Sequence, residues 1–478
     1  MRVAPIGSAV AALLAAALLA ACNAGQPGAS SSPGQLATSP AASSATNSAV
    51  VTVPPVSAQV ITPVTATSSV PASSQVSSSK PSSTASSSKL SSSSKPAGTA
   101  PPTKPKPPAT TVKAVKVVIP PVSYAASPEL GSADLSPRTP ITVRAANGTL
   151  AGLTLTNAEG NAVKGALSAD RTSWTVGEPL GYGRTYTVSG QAVSADGKQV
   201  AIAGEYSTIN PDGVVNASIS PNVGRTVGIA APIMISLGTD VEDTVGRQNI
   251  ERAIMVTAVP KTAGSFAWIH HDNGWGLDWR PRSYWKPGTR VTVTANLYGV
   301  SYGNNLWGAE DLTSKFTIGR SEITKADIKS HRLKVYRDGK LVFDFPTSYG
   351  LESDPGRVTH GGTYIVMGKE PLHLMSNPKY KYFNFKAYYA VRISNNGTFI
   401  HANDETADVQ GKKNVTHGCA NLTKSNAKAF YDQTMYGDPV EVTGSTIAVS
   451  RSDGDNRDWS IPWNQWQTLS ALSESYAG

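Results

Sequence analysis

Cys419 sits in Thr416-His417-Gly418-Cys419-Ala420-Asn421 and is one of only two cysteines in the chain, the other being Cys22. An ordinary thiol has a pKa of about 8.5 and is only a few per cent thiolate at neutral pH, so a reactive cysteine needs a base or cation beside it. Two histidines are candidates, His417 two positions before the cysteine and His401 eighteen before it. A histidine on the same tight loop is badly placed to meet the sulfur in line, whereas one arriving from another strand approaches from the front. His401 is therefore assigned as the base and His417 as a residue that shapes the loop. Gly418 lets the backbone pass close to a bound molecule, and the amides of Gly418 and Cys419 can point at a developing oxyanion. A base of this kind is held through its other ring nitrogen. No acidic residue is compelling there, and a backbone carbonyl near Ala402 is taken for the role. The alternative is a buried structural cysteine beside two incidental histidines.

Strands must carry most of this set. Residues 332–343 alternate, break at Asp338-Gly339 and alternate again, which predicts a hairpin. Further strands are expected at 362–367, 388–393 and 397–401. One helix is expected in this region, starting near Ser425 as cap and stopped by Gly437-Asp438-Pro439. Cys419 then lies on a loop just ahead of a helix, with His401 at a strand end.

Upstream, residues 116–319 read as short strands. Trp174, Gly183, Tyr186 and Val188 recur 105 positions later as Trp279, Gly288, Val291 and Val293. Two repeats of about 100 residues fit two immunoglobulin-like sandwiches, 116–209 and 210–319, without the inter-sheet disulfide. His270-His271 has only Asp272 and Asp278 near it in sequence, reads as a surface loop, and gives no metal site. No cofactor is implied.

The first 115 residues have a different character. An apolar run of about 12 residues at 9–20 is too short to span a bilayer and suits a signal peptide. It ends in Leu19-Ala20-Ala21-Cys22, which resembles a bacterial lipobox, so 1–21 is expected to be removed and Cys22 lipidated. Cleavage of an ordinary secretory signal near Ala21 is the other reading. Either way the protein is exported. Exported proteins usually pair their cysteines, so once Cys22 is lipidated Cys419 is a free thiol or joins another molecule. Residues 22–115 are rich in Ser, Pro, Ala and Lys, and no acidic residue precedes Glu129. The segment is expected to be a disordered tether, roughly 50 Å across as a coil. Its lysines at 80, 89, 95, 104 and 106, with Lys113 near its end, are part of a net charge of +9, which favours anionic lipid or wall polymer; no nucleic-acid motif is present.

His401, followed eighteen positions on by Cys419 within Thr416-His417-Gly418-Cys419-Ala420-Asn421, resembles the signature of the L,D-transpeptidases. The C-terminal 446–478, with Trp459, Trp463 and Trp466, resembles the Trp-rich segment of actinobacterial members, which also carry a lipobox and immunoglobulin-like modules; so large an apolar area is expected to dock on the catalytic domain, the alternative being an exposed tail that binds wall glycans. The resemblance implies a mainly β catalytic domain at 320–445 with one notable helix. It implies a Cys419 thioester on peptidoglycan stem peptides, with loss of D-alanine and 3-3 crosslinking to an acceptor amine. Carbapenem-type β-lactams are implied as covalent inhibitors, and the membrane, reached through the lipid on its outer face, as the location. Thr416, Gly418 and Asn421 match the family's substrate-binding loop, and the aromatic cluster holding Tyr382 falls where the family has a lid. Ala402-Asn403-Asp404-Glu405 departs from relatives with an aromatic after the first histidine. His360 and Gly361 are near the cleft in this frame, with His360 read as an exposed loop residue. Transfer to water would make the enzyme an L,D-carboxypeptidase, and a dead centre would leave a wall-binding scaffold. A sortase would need an arginine on the strand after the cysteine, and the first arginine is Arg451.

Overall fold

The computed structural model describes residues 119–271, 274–454 and 456–473. The signal peptide, Cys22, the tether and Asp272 fall outside them.

The segment after residue 119 folds as two β-sandwiches. In the first, a sheet of Ser123–Ser127, Thr142–Ala146, Ser173–Val176 and Gly165–Leu167 faces a sheet of Gly148–Asn157, Thr185–Ser194 and Gln199–Ser207. Trp174, Tyr186 and Val188 lie in the core between them. In the second, Thr226–Val227, Leu312–Ile318, Arg290–Ala295 and Ile254–Val259 form one sheet, and Gly264–His271, Gly274–Pro281, Ile233–Ser236 and Ser218–Ser220 the other. Trp279, Val291 and Val293 occupy its core. The repeat thus places a buried Trp on one strand and, after a glycine at positive φ (Gly183, Gly288), alternating core residues on the next. Sequence reading missed the helix Thr244–Arg252, whose cap Asp243 accepts from the Gly246 N–H. His270 and His271 are in a strand rather than a surface loop. His271 is buried, with Nε2 3.1 Å from Asp278 Oδ1. It is a packed core group, and among the described residues no cluster of three or more His, Cys, Asp or Glu side chains is arranged to hold a metal.

The third unit has two sheets around one core. Lys340–Pro346, Arg332–Arg337, Glu322–Asp327, Pro439–Thr443 and Gly362–Ile365 make one; Gly368–Asn377, Tyr382–Arg392, Phe399–Ala402 and Ala420–Leu422 make the other. Asp338 and Gly339 both have positive φ, the two-residue turn that suits the right-handed twist of the hairpin. The helix Lys424–Gln433 buries Ala427 and Phe430 against the second sheet. Its cap is Thr423, which accepts from the Asn426 N–H, and not Ser425, because the chain turns into the helix directly from the preceding strand.

The C-terminal segment was expected to dock on the catalytic unit. Its tryptophans dock on the second sandwich instead. Trp466 packs with Ala267 and Ile269 and donates from Nε1 to Ser265 O at 3.0 Å, while Trp459 Nε1 donates to Ala230 O at 2.7 Å. The buried Arg280 guanidinium lies 4.6–5.3 Å from the rings of Trp459, Trp463 and Trp466. That charge explains the choice of partner, since stacked indoles hold a cation in low dielectric. The segment also reaches the catalytic unit: Ser460 Oγ accepts from Thr363 N at 2.8 Å and donates to Thr363 O at 3.0 Å, Gly361 N donates to Ile447 O and Val449 N to Gly361 O at 2.7 Å each, and Asn396 Nδ2 donates to Asp453 Oδ1 at 2.8 Å. The segment therefore straps the sandwich to the edge strand Gly362–Ile365. Trp466→Ala is expected to destabilise this packing by about 3–5 kcal/mol, the usual loss for emptying a buried indole site. Hydrogen exchange should then rise in Gly264–His271 first; unchanged protection there would contradict the docking.

Candidate active site

The two histidine and cysteine segments are brought together by strand register. Phe399–Ala402 pairs in parallel with Ala420–Leu422, setting Ile400 against Ala420, His401 against Asn421 and Ala402 against Leu422. Side chains alternate across a strand, so His401, Asn421 and Cys419 fall on one face. All three line a cleft of about 730 Å³, counted to its open mouth, together with Thr416, His417 and Tyr382.

His401 is 3 % exposed, and its Nδ1 lies 2.9 Å from Ala402 O. A carbonyl can only accept, so Nδ1 carries the proton and Nε2 is left free as the basic atom. Burial pushes the imidazole down to about 4; the Ala402 contact raises it and nearby His373 lowers it further. Cys419 is an unpaired, half-buried thiol whose Sγ lies 3.7 Å from Gly397 O. Burial pushes the thiol up to about 11, against a backbone hydrogen bond from Phe399 that lowers it. The resting pair is therefore neutral thiol and neutral imidazole, not thiolate and imidazolium, and the sulfur must lose its proton as it attacks.

The loop before Cys419 is fixed from below. Thr416 is buried and its Oγ1 donates to Cys419 O at 2.7 Å, closing the turn. Gly418 has φ +105°, a conformation L side chains rarely adopt; an added Cβ would meet nothing closer than 3.8 Å, so the glycine is needed for its backbone angle and not for space. Among the described residues the Gly418 and Cys419 N–H groups donate to no backbone carbonyl in the turns and loops, leaving two donors free beside the sulfur. Asn421 exchanges backbone hydrogen bonds with Ser348, and its buried Oδ1 has no partner among the described residues.

Two braces were invisible in the sequence. Arg357 donates from Nε to Thr416 O at 3.0 Å and from its Nη2 to Val415 O. Thr359 Oγ1 donates to Gly418 O at 2.8 Å and accepts from Gly350 N at 2.9 Å. Both reach the loop from some 59 positions away, a pairing no local pattern could signal. Thr359→Val strands both Gly418 O and Gly350 N, each a loss of about 1–3 kcal/mol when buried. It should lower turnover about tenfold and lower the melting temperature, with Thr359→Ser restoring both; full turnover in the valine variant would show the brace is idle.

The hairpin Gly368–Asn377 and Tyr382–Arg392 covers the cleft. Its tip places the Tyr380 and Tyr382 rings 4.7 and 5.4 Å from the His417 ring. His417 is exposed and packs under this tip. Burial lowers its pKa, with Arg357 adding to the effect. Phe383, in the same aromatic cluster, is 65 % exposed. Met375, Phe385, Asn403, Glu405 and Thr406 also line the cleft. His360 and Gly361 do not. His360 is half-buried rather than an exposed loop residue, with Nδ1 2.7 Å from Asp453 Oδ1, because the C-terminal segment folds back over it.

Residues 321–442 match the L,D-transpeptidase catalytic domain, and residues 132–301 match a bacterial Ig domain, a stretch that spans parts of both sandwiches. L,D-transpeptidase 5 of Mycobacterium tuberculosis is 45% identical over 347 residues, 72% of this chain and 76% of that protein. L,D-transpeptidase 2 of the same species is 34% identical over 348 residues, 71% and 83% of the two chains. The crystal structure of L,D-transpeptidase 3 from Mycobacterium tuberculosis with a faropenem-derived adduct is 26% identical, with a TM-score of 0.40 over 48% of this chain and 98% of that one. With a relative this similar over three quarters of its length, and a catalytic-domain match that encloses the His401 and Cys419 cleft, this chain belongs to the L,D-transpeptidase family.

Proposed function

We propose that the chain is a peptidoglycan L,D-transpeptidase whose nucleophile is Cys419. Sγ attacks the carbonyl of the third residue of a tetrapeptide stem as its proton passes to His401 Nε2. The tetrahedral oxyanion is met by the Gly418 and Cys419 amides. Collapse expels D-alanine, whose nitrogen takes the proton from His401, and leaves a thioester on Cys419. The side-chain amine of a second stem attacks the thioester, passes a proton through His401 to the departing sulfur, and forms a 3-3 crosslink. The observation that carries this reading is the shared face of Cys419 and His401, with Nδ1 held by Ala402 O so that Nε2 is free. The same thiol opens a strained β-lactam to a stable thioester, which makes carbapenem-type compounds covalent inhibitors.

Incubation with a disaccharide-tetrapeptide tests the reading. Release of D-alanine together with a crosslinked dimer is expected, and D-alanine release with no dimer would make the enzyme an L,D-carboxypeptidase. The lipobox-like Leu19-Ala20-Ala21-Cys22 supports anchoring on the outer face of the membrane, with residues 22–115 giving reach into the wall. Cys22→Ala should move the protein from the membrane fraction to the medium; retention in the membrane fraction would remove the anchor from the account.

A further inference from the structure

Among the described residues that line the cleft, only one is of Asp, Glu, Lys or Arg type. Of the residues that line it, His401 is held neutral by burial, the pKa of His417 is lowered by its partial burial, Cys419 is held as a thiol, and Tyr382 is a phenol pushed away from ionisation, again chiefly by burial. Glu405 remains. It belongs to the single turn Asp404–Thr406 that follows the His401 strand. Asn403 fixes this turn by accepting from the Glu405 N–H at 3.1 Å. The neighbouring carboxylate, Asp404, is engaged: its Oδ1 accepts from the Lys424 N–H at 2.8 Å at the start of the helix Lys424–Gln433. Glu405 is exposed, and among the described residues its carboxylate has neither an ion pair nor a hydrogen bond. The opposite wall is the hairpin, which offers Met375, Tyr382 and Phe385.

Of the two substrates, the acceptor reacts through an amine that exists in water as an ammonium ion, and the only acidic or basic chain of Asp, Glu, Lys or Arg type among the described residues that line the cleft, Glu405, is its complement. We propose that Glu405 is the acceptor-recognition residue, drawing the ammonium of the second stem into the cleft and holding it beside the thioester. This rests on the transpeptidase reading above. The held ammonium releases one proton to water through the open mouth. The amine then attacks the thioester carbonyl, its second proton passes to His401 Nε2 and on to the leaving Cys419 sulfur, and an amide and a free thiol result. Water needs no such guide, so the carboxylate sets how the acyl-enzyme divides between crosslinking and hydrolysis.

The test reads that division, which is independent of how fast the thioester forms. The parent and Glu405→Gln are given a disaccharide-tetrapeptide, alone or with an excess of ethylamine, an ammonium at pH 7, or of hydroxylamine, uncharged there. Dimer, ethylamide, hydroxamate and hydrolysed tripeptide are counted by mass spectrometry. Glu405→Gln is expected to lower the dimer-to-hydrolysis and ethylamide-to-hydrolysis ratios about fivefold, the upper range for one partly exposed ion pair. The hydroxamate ratio should hold. Added salt should lower the dimer ratio of the parent toward that of the variant. An unchanged dimer ratio overturns the proposal, as does an equal fall for hydroxylamine, which would mean altered shape instead of lost charge. A defect confined to acylation by the tetrapeptide, with imipenem acylation intact, would put the cation on the donor and overturn it too. Absence of any thioester in the parent would instead strike the transpeptidase reading itself.

Discussion

Cys419→Ala is expected to give a folded protein that forms no crosslink, releases no D-alanine and takes up no carbapenem. The loss should be complete within detection, because Cys419 is the only thiol after Cys22. The half-buried sulfur touches the small cluster of Ala387, Ala390 and Phe399, so removing it leaves a modest gap and a melting temperature close to the parent's. Residual dimer synthesis in the alanine variant would refute the assignment of the nucleophile.

Removing the base is the next largest effect. His401→Gln should lower acylation at least about a hundredfold, the usual scale for losing a positioned general base. The same residue sets the acid limb. An imidazole held down to about 4 stays neutral and basic where an ordinary histidine is protonated. At pH 5.5 a histidine of pKa 6.5 is about nine-tenths charged, whereas His401 is still largely free to accept a proton. Activity should therefore hold from neutral pH down to about 5 and fall only near 4. The folded state disfavours the imidazolium, so below pH 6.5 the unfolded chain binds protons more readily and stability declines as pH falls. Rates should be read by imipenem acylation at each pH alongside a melting curve. An acid limb centred at 6.5 in protein that is still folded would show that His401 is not the buried base described here.

Much of this centre was legible because its chemistry is local. Thr416 to Asn421 is contiguous, the demand for a base from a different strand singles out His401, and the Asp338-Gly339 hairpin is written in two adjacent residues. The alternation of core residues after Gly183 and Gly288 likewise marks both sandwiches through burial alone. What escaped is long-range. The braces from Arg357 and Thr359 depend on how a loop is laid against another. The strapping of Trp459, Trp463 and Trp466 to the second sandwich depends on Arg280, a cation nearly two hundred positions away. A row of tryptophans announces that it will be buried, but nothing local names the surface that buries it. His271 differs for the same reason: with only Asp272 and Asp278 near it in sequence it reads as a surface loop, and only the strand pairing shows that it is enclosed with Asp278.

The most direct measurement is the intact mass of the protein, quenched in acid within the first turnovers on a disaccharide-tetrapeptide, followed by fragmentation of the peptide that contains residue 419. The account predicts an adduct equal to the donor less D-alanine, carried on Cys419, lost on addition of hydroxylamine, and absent in Cys419→Ala. Dimer formation without any adduct on Cys419, or an adduct on another residue, would contradict it.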